Sequence, residues 1–249
     1  VVHHYRDVTE ERKLQKKLVQ SEKMAAVGML AGGVAHEINN PLGGILAFTQ
    51  LLKSEFAAES AAQEDLNEIE EAAKRCKKIV ADLLTLSRPS TGLELSTQNL
   101  NEIIEKILPM LRLSLRESSI LIKTDYAADL PQVVGEITRL QQVFLNLIKN
   151  AAEASRQGGE VIVRTRRSRD RNECVVEVQD SGEGNKEEDL SRIFDPFFTT
   201  KGHRGTGLGL SICDSIINDH RGRMEVESVY GKGSTFRVVL PGLKKEGGG

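Results

Sequence analysis

The segment Ala35-His36-Glu37-Ile38-Asn39-Asn40-Pro41-Leu42 sets an imidazole beside a carboxylate, with a carboxamide one helical turn further on. Such a set supports nucleophilic attack by His36, with Glu37 accepting the ring proton and Asn40 orienting a water. The residue four beyond His36 is Asn40 rather than a second histidine, so the His-Glu-x-x-His zinc pattern is absent. Gly32, Gly33, Gly43 and Gly44 flank the histidine at helical spacing. Each costs a helix interior about 1 kcal/mol relative to alanine, which suggests that access to the imidazole outweighs stability here.

Four more groups follow in the second half of the chain. Asn146 and Asn150, within Asn146-Leu147-Ile148-Lys149-Asn150-Ala151-Ala152-Glu153-Ala154, are four apart and share one helix face. Neutral oxygens of that kind suit a Mg2+ ion that keeps waters and shares phosphate oxygens, although polar residues on a helix are more often merely solvated. Asp180-Ser181-Gly182-Glu183-Gly184 follows a predicted strand. There Asp180 can accept a hydrogen bond from an adenine amine while Gly182 and Gly184 let backbone approach the base, but an ordinary Asp-x-Gly turn looks the same. Phe194, Phe197 and Phe198, three of the seven phenylalanines, precede Lys201. The lysine can meet a phosphate, and the aromatic cluster can equally anchor a flap. Gly205-Thr206-Gly207-Leu208-Gly209-Leu210 opens a helix, where unpaired backbone N–H groups make an anion site. Its spacing is neither that of a Walker loop nor that of a dinucleotide fingerprint. Each group alone is ambiguous; all four in this order point to a nucleotide.

The elements that must carry these residues follow from periodicity. From about Thr9, Leu14, Leu18, Met24, Val27, Leu30, Val34 and Ile38 recur at three- and four-residue steps, continuing through Ile45, Phe48, Leu51 and Leu52. Pro41 predicts a kink just after the histidine. A second helix over 63–87 carries Leu66, Ile69, Ala73, Cys76, Ile79, Val80, Leu83, Leu84 and Leu86 on its apolar side. One hairpin cannot bury both stripes, so two chains pairing into a four-helix bundle is the expected solution. Beyond Arg88-Pro89-Ser90-Thr91-Gly92, helices are predicted at 99–117, 136–156 and 207–219, and strands at 119–125, 160–167, 173–180, 223–229 and 234–240. Helices mixed with mostly antiparallel strands imply an α/β two-layer sandwich.

Composition bounds the rest. With 39% hydrophobic and 28% charged residues and a net charge of −2, the chain reads as soluble and globular, with no electrostatic case for nucleic acid. No run of about 18 apolar residues suggests a membrane span, and the polar N-terminal stretch is unlike a signal peptide. Three scattered cysteines, Cys76, Cys174 and Cys213, read as reduced thiols of a cytoplasmic protein. His220 is expected to end a helix as a cation or polar cap.

Taken together, these motifs resemble the transmitter region of bacterial sensor histidine kinases over about residues 20–241. His36 to Pro41 is similar to that family's H box, Asn146 to Asn150 to its N box, Asp180 to Gly184 to its G1 box, Phe194 to Phe198 to its F box and Gly205 to Gly209 to its G2 box. The Phe-Phe-Thr-Thr-Lys stretch looks closest to the nitrogen-regulatory type. The resemblance implies the end of an upstream PAS-like sensor with a signalling helix at 1–20 and a dimerisation and phosphotransfer domain at 21–90. It further implies a linker at 91–97, an ATP-binding domain of the gyrase–Hsp90–kinase–MutL fold at 98–242 and a tail at 243–249. ATP and Mg2+ are the implied cofactors, and a homodimer and the receiver domain of a response regulator the implied partners. His36, Glu37 and Asn40 would act in catalysis, Asn40 in dephosphorylating the regulator. Asn146, Lys149, Asn150, Asp180, Gly182, Gly184, Lys201, Gly205, Thr206, Gly207, Leu208 and Gly209 would hold ATP, with Asn146 and Asn150 on the metal. Thr235, in Gly231-Lys232-Gly233-Ser234-Thr235-Phe236, would assist Asp180. Asn185-Lys186 stands where the family usually has an apolar residue and a proline, and the lid from Phe198 to Gly205 is short. An ATPase clamp of the same nucleotide fold and an inactive dimeric scaffold are the alternatives. The first leaves the His36 hairpin unexplained, and the second leaves the intact acceptor and ligand positions unexplained.

Overall fold

The computed structural model describes residues 35, 37–56, 60–87, 94–116, 118–168, 172–202 and 205–243. His36 and the predicted helical stripe before Ala35 lie outside the described residues. The chain divides into two compact units, Val1–Pro89 and Ser90–Gly249.

The first unit holds α1 (37–55) and α2 (Ala61–Ser87). The helical backbone of α1 continues through Pro41. α2 starts two residues before its predicted position because Ser60 caps it, its Oγ accepting from the Gln63 amide at 3.2 Å. The buried seam is narrow: Ala35, Leu42 and Thr49 on the first helix, and Leu66, Ala73 and Val80 on the second, recur every seven residues. Thr49 Oγ1 donates to the Ile45 carbonyl at 2.7 Å, which satisfies its buried hydroxyl. Glu70, also buried, accepts from Lys53 across the hairpin at 2.6 Å and pairs with Lys74 at 2.8 Å. Its hydrogen bonds to these two ammonium groups hold its carboxyl down at about 2. Ile45, Phe48, Leu51, Leu52 and Ile69, expected on packed faces, are exposed in the single chain, as is Cys76. One hairpin covers one stripe per helix, and these residues form the other.

The second unit is the expected two-layer sandwich. Its main sheet has the order β2 (Leu121–Asp125), β4 (Glu160–Ser168), β5 (Glu173–Asp180), β7 (Gly233–Pro241), β6 (Arg223–Val229). All neighbours are antiparallel except β2 and β4. Two three-residue strands absent from the sequence reading, β1 (Ser96–Gln98) and β3 (Val133–Gly135), pair antiparallel, and a short helix, α5 (Glu187–Leu190), was also missed. The long helices are α3 (Leu100–Ser114), α4 (Ile137–Ala154) and α6 (Gly209–Asp219). α4 lies between the other two helices and packs on β4 and β5.

Strict alternation explains the layers. Val161, Val163, Val176, Val178, Phe236 and Val238 point inward against Leu140, Phe144, Leu147, Ile148, Ile212 and Ile216. The other sheet face carries polar pairs instead: Arg164 donates to Gln179 at 2.6 Å and Arg237 to Glu177 at 2.8 Å. His220 ends α6 as the expected polar cap. It is buried, with Nδ1 2.7 Å from the Ile216 carbonyl and Nε2 accepting from the Glu136 amide at 3.0 Å. With both ring nitrogens engaged, the ring ties the end of α6 to the start of α4.

Candidate nucleotide site

Asp180 closes β5 on the sheet's helix-facing side and is buried. Its Oδ1 accepts from the Gly182 amide at 2.8 Å and the Ser234 amide at 3.2 Å, whereas Oδ2 makes no hydrogen bond among the described residues. Burial pushes the carboxyl above the ordinary aspartate range, opposed by those two amides and by the charge of Lys201. The site therefore offers a fixed acceptor at the floor of the α-facing side of the sheet.

The register sets Thr235 one step along β7 from the residue that bonds Asp180. Thr235 pairs with Gln179, on the outer face, while Asp180 and Ser234 share the inner one. A cavity of about 210 Å3 at this end of the sheet is lined by Gln179, Glu227 and Thr235 and also reaches Asp180 and Ser234. The residue that touches Asp180 is Ser234, not Thr235.

At the other end of the site, α4 presents Asn150, Lys149 and Glu153. Lys201 Nζ lies 2.6 Å from Glu153 Oε2 and 3.3 Å from Asn150 Oδ1, bringing the predicted phosphate lysine and the predicted metal ligand together. Lys149 is exposed and 3.8 Å from Glu153. Asn146 lies beside the buried Cys213 thiol of α6, which donates to the Val143 carbonyl at 3.8 Å and whose pKa burial pushes up to about 12. Asn150 Oδ1 already receives a cationic group, so its position fits a Mg2+ ion. Among the described residues no three His, Cys, Asp or Glu form a cage, and such an ion would complete its shell with phosphate and water.

The glycines answer chiefly to protein packing. A Cβ on Gly182 would run into the Ala154 carbonyl at the end of α4, so the loop after Asp180 sits directly on that helix. Gly207 has φ +68° and abuts the Phe197 backbone, itself at φ +66°, so the loop before α6 nests against the phenylalanine cluster. Gly184, φ +70°, abuts Val229 at the end of β6, and Gly205 abuts the Thr199 hydroxyl. Gly209 starts α6 near Asn150, since a Cβ there would lie 3.8 Å from Asn150 Nδ2. Leu208 is fully buried and its amide donates to Thr206 Oγ1 at 3.3 Å, so its side chain serves the core. Arg192 stacks over Phe198, 4.6 Å from the ring centroid.

On α1, Glu37 and Asn40 are exposed, and a Cβ on Gly43 or Gly44 would meet nothing within 4 Å. His36 lies outside the described residues. Two residues that sequence reasoning passed over touch the site's groups, Glu153 on Lys201 and Ser234 on Asp180, and Ser228 lies behind Ser234. Only Glu153 had a local signal, standing seven beyond Asn146 and three beyond Asn150 on the same helix.

Residues 135–244 match the histidine kinase-, DNA gyrase B- and HSP90-like ATPase family, and residues 26–92 match the His Kinase A (phospho-acceptor) domain. Sporulation kinase E of Bacillus subtilis is 35% identical over 237 residues, 95% of this chain and 31% of its own length. Sensor histidine kinase ZraS of Salmonella typhimurium is 35% identical over 243 residues, 98% of this chain and 52% of its own length. The solved structure of histidine kinase ThkA in complex with response regulator protein TrrA has a TM-score of 0.66 at 30% identity, covering 96% of this chain and 68% of that one. This chain belongs to the sensor histidine kinases of bacterial two-component systems and carries their transmitter region. It spans about a third to about half the length of these two curated relatives.

Proposed function

We propose that the α/β unit binds ATP and that the γ-phosphoryl group passes to His36, then to an aspartate on the receiver domain of a response regulator. The observation that carries this reading is the pairing of a buried, amide-fixed Asp180 with the Asn150–Lys201 contact. One end suits an adenine amine and the other a polyphosphate with its cation. In the transfer, a ring nitrogen of His36 forms the N–P bond as the bond from phosphorus to the bridging oxygen breaks, and ADP leaves. Glu37 takes the proton from the other ring nitrogen. A Mg2+ ion held by Asn150 would neutralise charge on the phosphates. Lys201 and the backbone at the start of α6 add positive potential from the chain itself.

A homodimer is supported by the uncovered residues of α1. Ile38, Ile45, Phe48 and Leu52 are spaced seven, three and four residues apart and are all exposed. Such a seam suits a four-helix bundle with a second copy. The receiver partner is supported by the likeness to ThkA, solved with TrrA. We infer that Asn40, exposed on α1 and four residues beyond His36 in the sequence, orients a water for dephosphorylating the regulator.

Incubation with ATP labelled on its γ-phosphate tests the reading. His36→Gln is expected to lose all acid-labile label while ATP binding by calorimetry is unchanged; label retained on that variant refutes the acceptor assignment. Asn40→Ala is expected to keep the label yet no longer speed loss of phosphate from a phosphorylated regulator. Equal loss of both activities would remove Asn40 from that role.

A further inference from the structure

The loop after Gly184 carries Asn185 and Lys186, and a polar circuit there returns to Asp180. The Asn185 amide donates to Ser228 Oγ at 2.7 Å. Asn185 Nδ2 lies 3.2 Å from Ser234 Oγ and 3.4 Å from Ser228 Oγ. The two serine hydroxyls are 2.9 Å apart, and Ser228 Oγ donates to the Gly233 carbonyl at 3.1 Å. Gly233 has φ +109° and its Cα packs on the Asp180 carbonyl. The neighbouring Ser234 amide then donates to Asp180 Oδ1. Five residues from three segments are thus linked, with the Ser234 amide as the step that reaches the carboxylate.

We propose that Asn185 is a positioning residue for the adenine end of the nucleotide. Its carboxamide fixes the ends of β6 and β7 so that the Ser234 amide holds Asp180 Oδ1, leaving Oδ2 aimed at the base. The inference rests on the reading of this site as an ATP site. The physical need is plain: residues 181–186, Ser-Gly-Glu-Gly-Asn-Lys, offer no apolar side chain as an anchor, so hydrogen bonds must set this loop. Asn185→Ala removes only the carboxamide bonds, because the 2.7 Å bond uses the backbone amide. Ser234→Ala likewise keeps its backbone donor and loses only the hydroxyl.

The test measures nucleotide binding by the whole chain. For Asn185→Ala the ATP dissociation constant is expected to rise about three- to tenfold, the size of one lost hydrogen bond. Affinity for Mg2+ tripolyphosphate, measured by competition, is expected to stay within about twofold, as is the phosphorylation rate at saturating ATP. Ser234→Ala is expected to weaken ATP similarly, and the double variant to lose no more than the larger single loss. An unchanged ATP constant in either folded variant, equal weakening of ATP and tripolyphosphate, or full additivity overturns the proposal. A wild-type chain that binds tripolyphosphate but gains nothing from the adenosine refutes the ATP reading itself. Normal wild-type ATP binding with indifferent variants refutes only the role of Asn185.

Discussion

The helical hairpin and the α/β unit solve the problem of apolar surface in opposite ways. In the α/β unit the large side chains are inside: Leu100, Leu140, Phe144, Leu147, Ile148 and Ile212 are all at most 1% exposed. In the hairpin the seam is built from Ala35, Leu42, Thr49, Leu66, Ala73 and Val80, while Phe48 is 69% and Leu51 60% exposed. The first arrangement is complete within one chain. The second leaves large apolar residues uncovered among the described residues, and aliphatic burial contributes about 25 cal/mol per Å2 only when something excludes water. A unit that holds a ligand needs a rigid frame of its own, whereas a unit that works as a pair can place part of its core in the contact between copies.

The largest expected effects break this contrast directly. Phe144→Ala, at a fully buried ring, is expected to cost the α/β unit about 3–5 kcal/mol, read as a lower melting temperature. Phe48→Glu is expected to leave that transition unchanged. Its effect appears in sedimentation, where the dimer should weaken by about thirtyfold or more, the loss of roughly 2 kcal/mol typical of a central interface aromatic. A dimer as tight as wild type would mean that this stripe meets something other than a second copy.

Much of this contrast can be read from the chain. The heptad spacing of Leu66, Ala73 and Val80 and the alternation in Val161 to Thr165 arise from local periodicity, and the helices and longer strands follow. Strands of three residues, Ser96–Gln98 and Val133–Gly135, are too short to show a period. The parallel pairing of β2 with β4 depends on what lies between them, which includes α4, not on either strand. In the site, Asn150, Asp180 and Lys201 were recognisable by type and order. Ser234 was passed over for its neighbour Thr235 because a one-residue step along a strand reverses the face. Ser228 escaped for another reason: it meets Asn185 across 43 residues of sequence, and no local pattern records that contact.

Two ion pairs of equal length sharpen the comparison at its fine end. Lys53–Glu70 in the hairpin and Lys201–Glu153 in the α/β unit both measure 2.6 Å. Glu70 is buried in the seam, accepts from two lysines, and has nothing to exchange them for. Glu153 is 42% exposed, and its lysine also touches Asn150, where a nucleotide's phosphates and cation would stand. On the proposed reading the second pair would compete with the ligand. An exposed pair contributes about 0.2–1 kcal/mol, so releasing Lys201 by Glu153→Gln is expected to tighten ATP binding by about two- to fivefold, with less gain at high salt. Weaker binding in that variant, measured by calorimetry at low ionic strength, would show that Glu153 supports the ligand and would remove the difference between the two pairs.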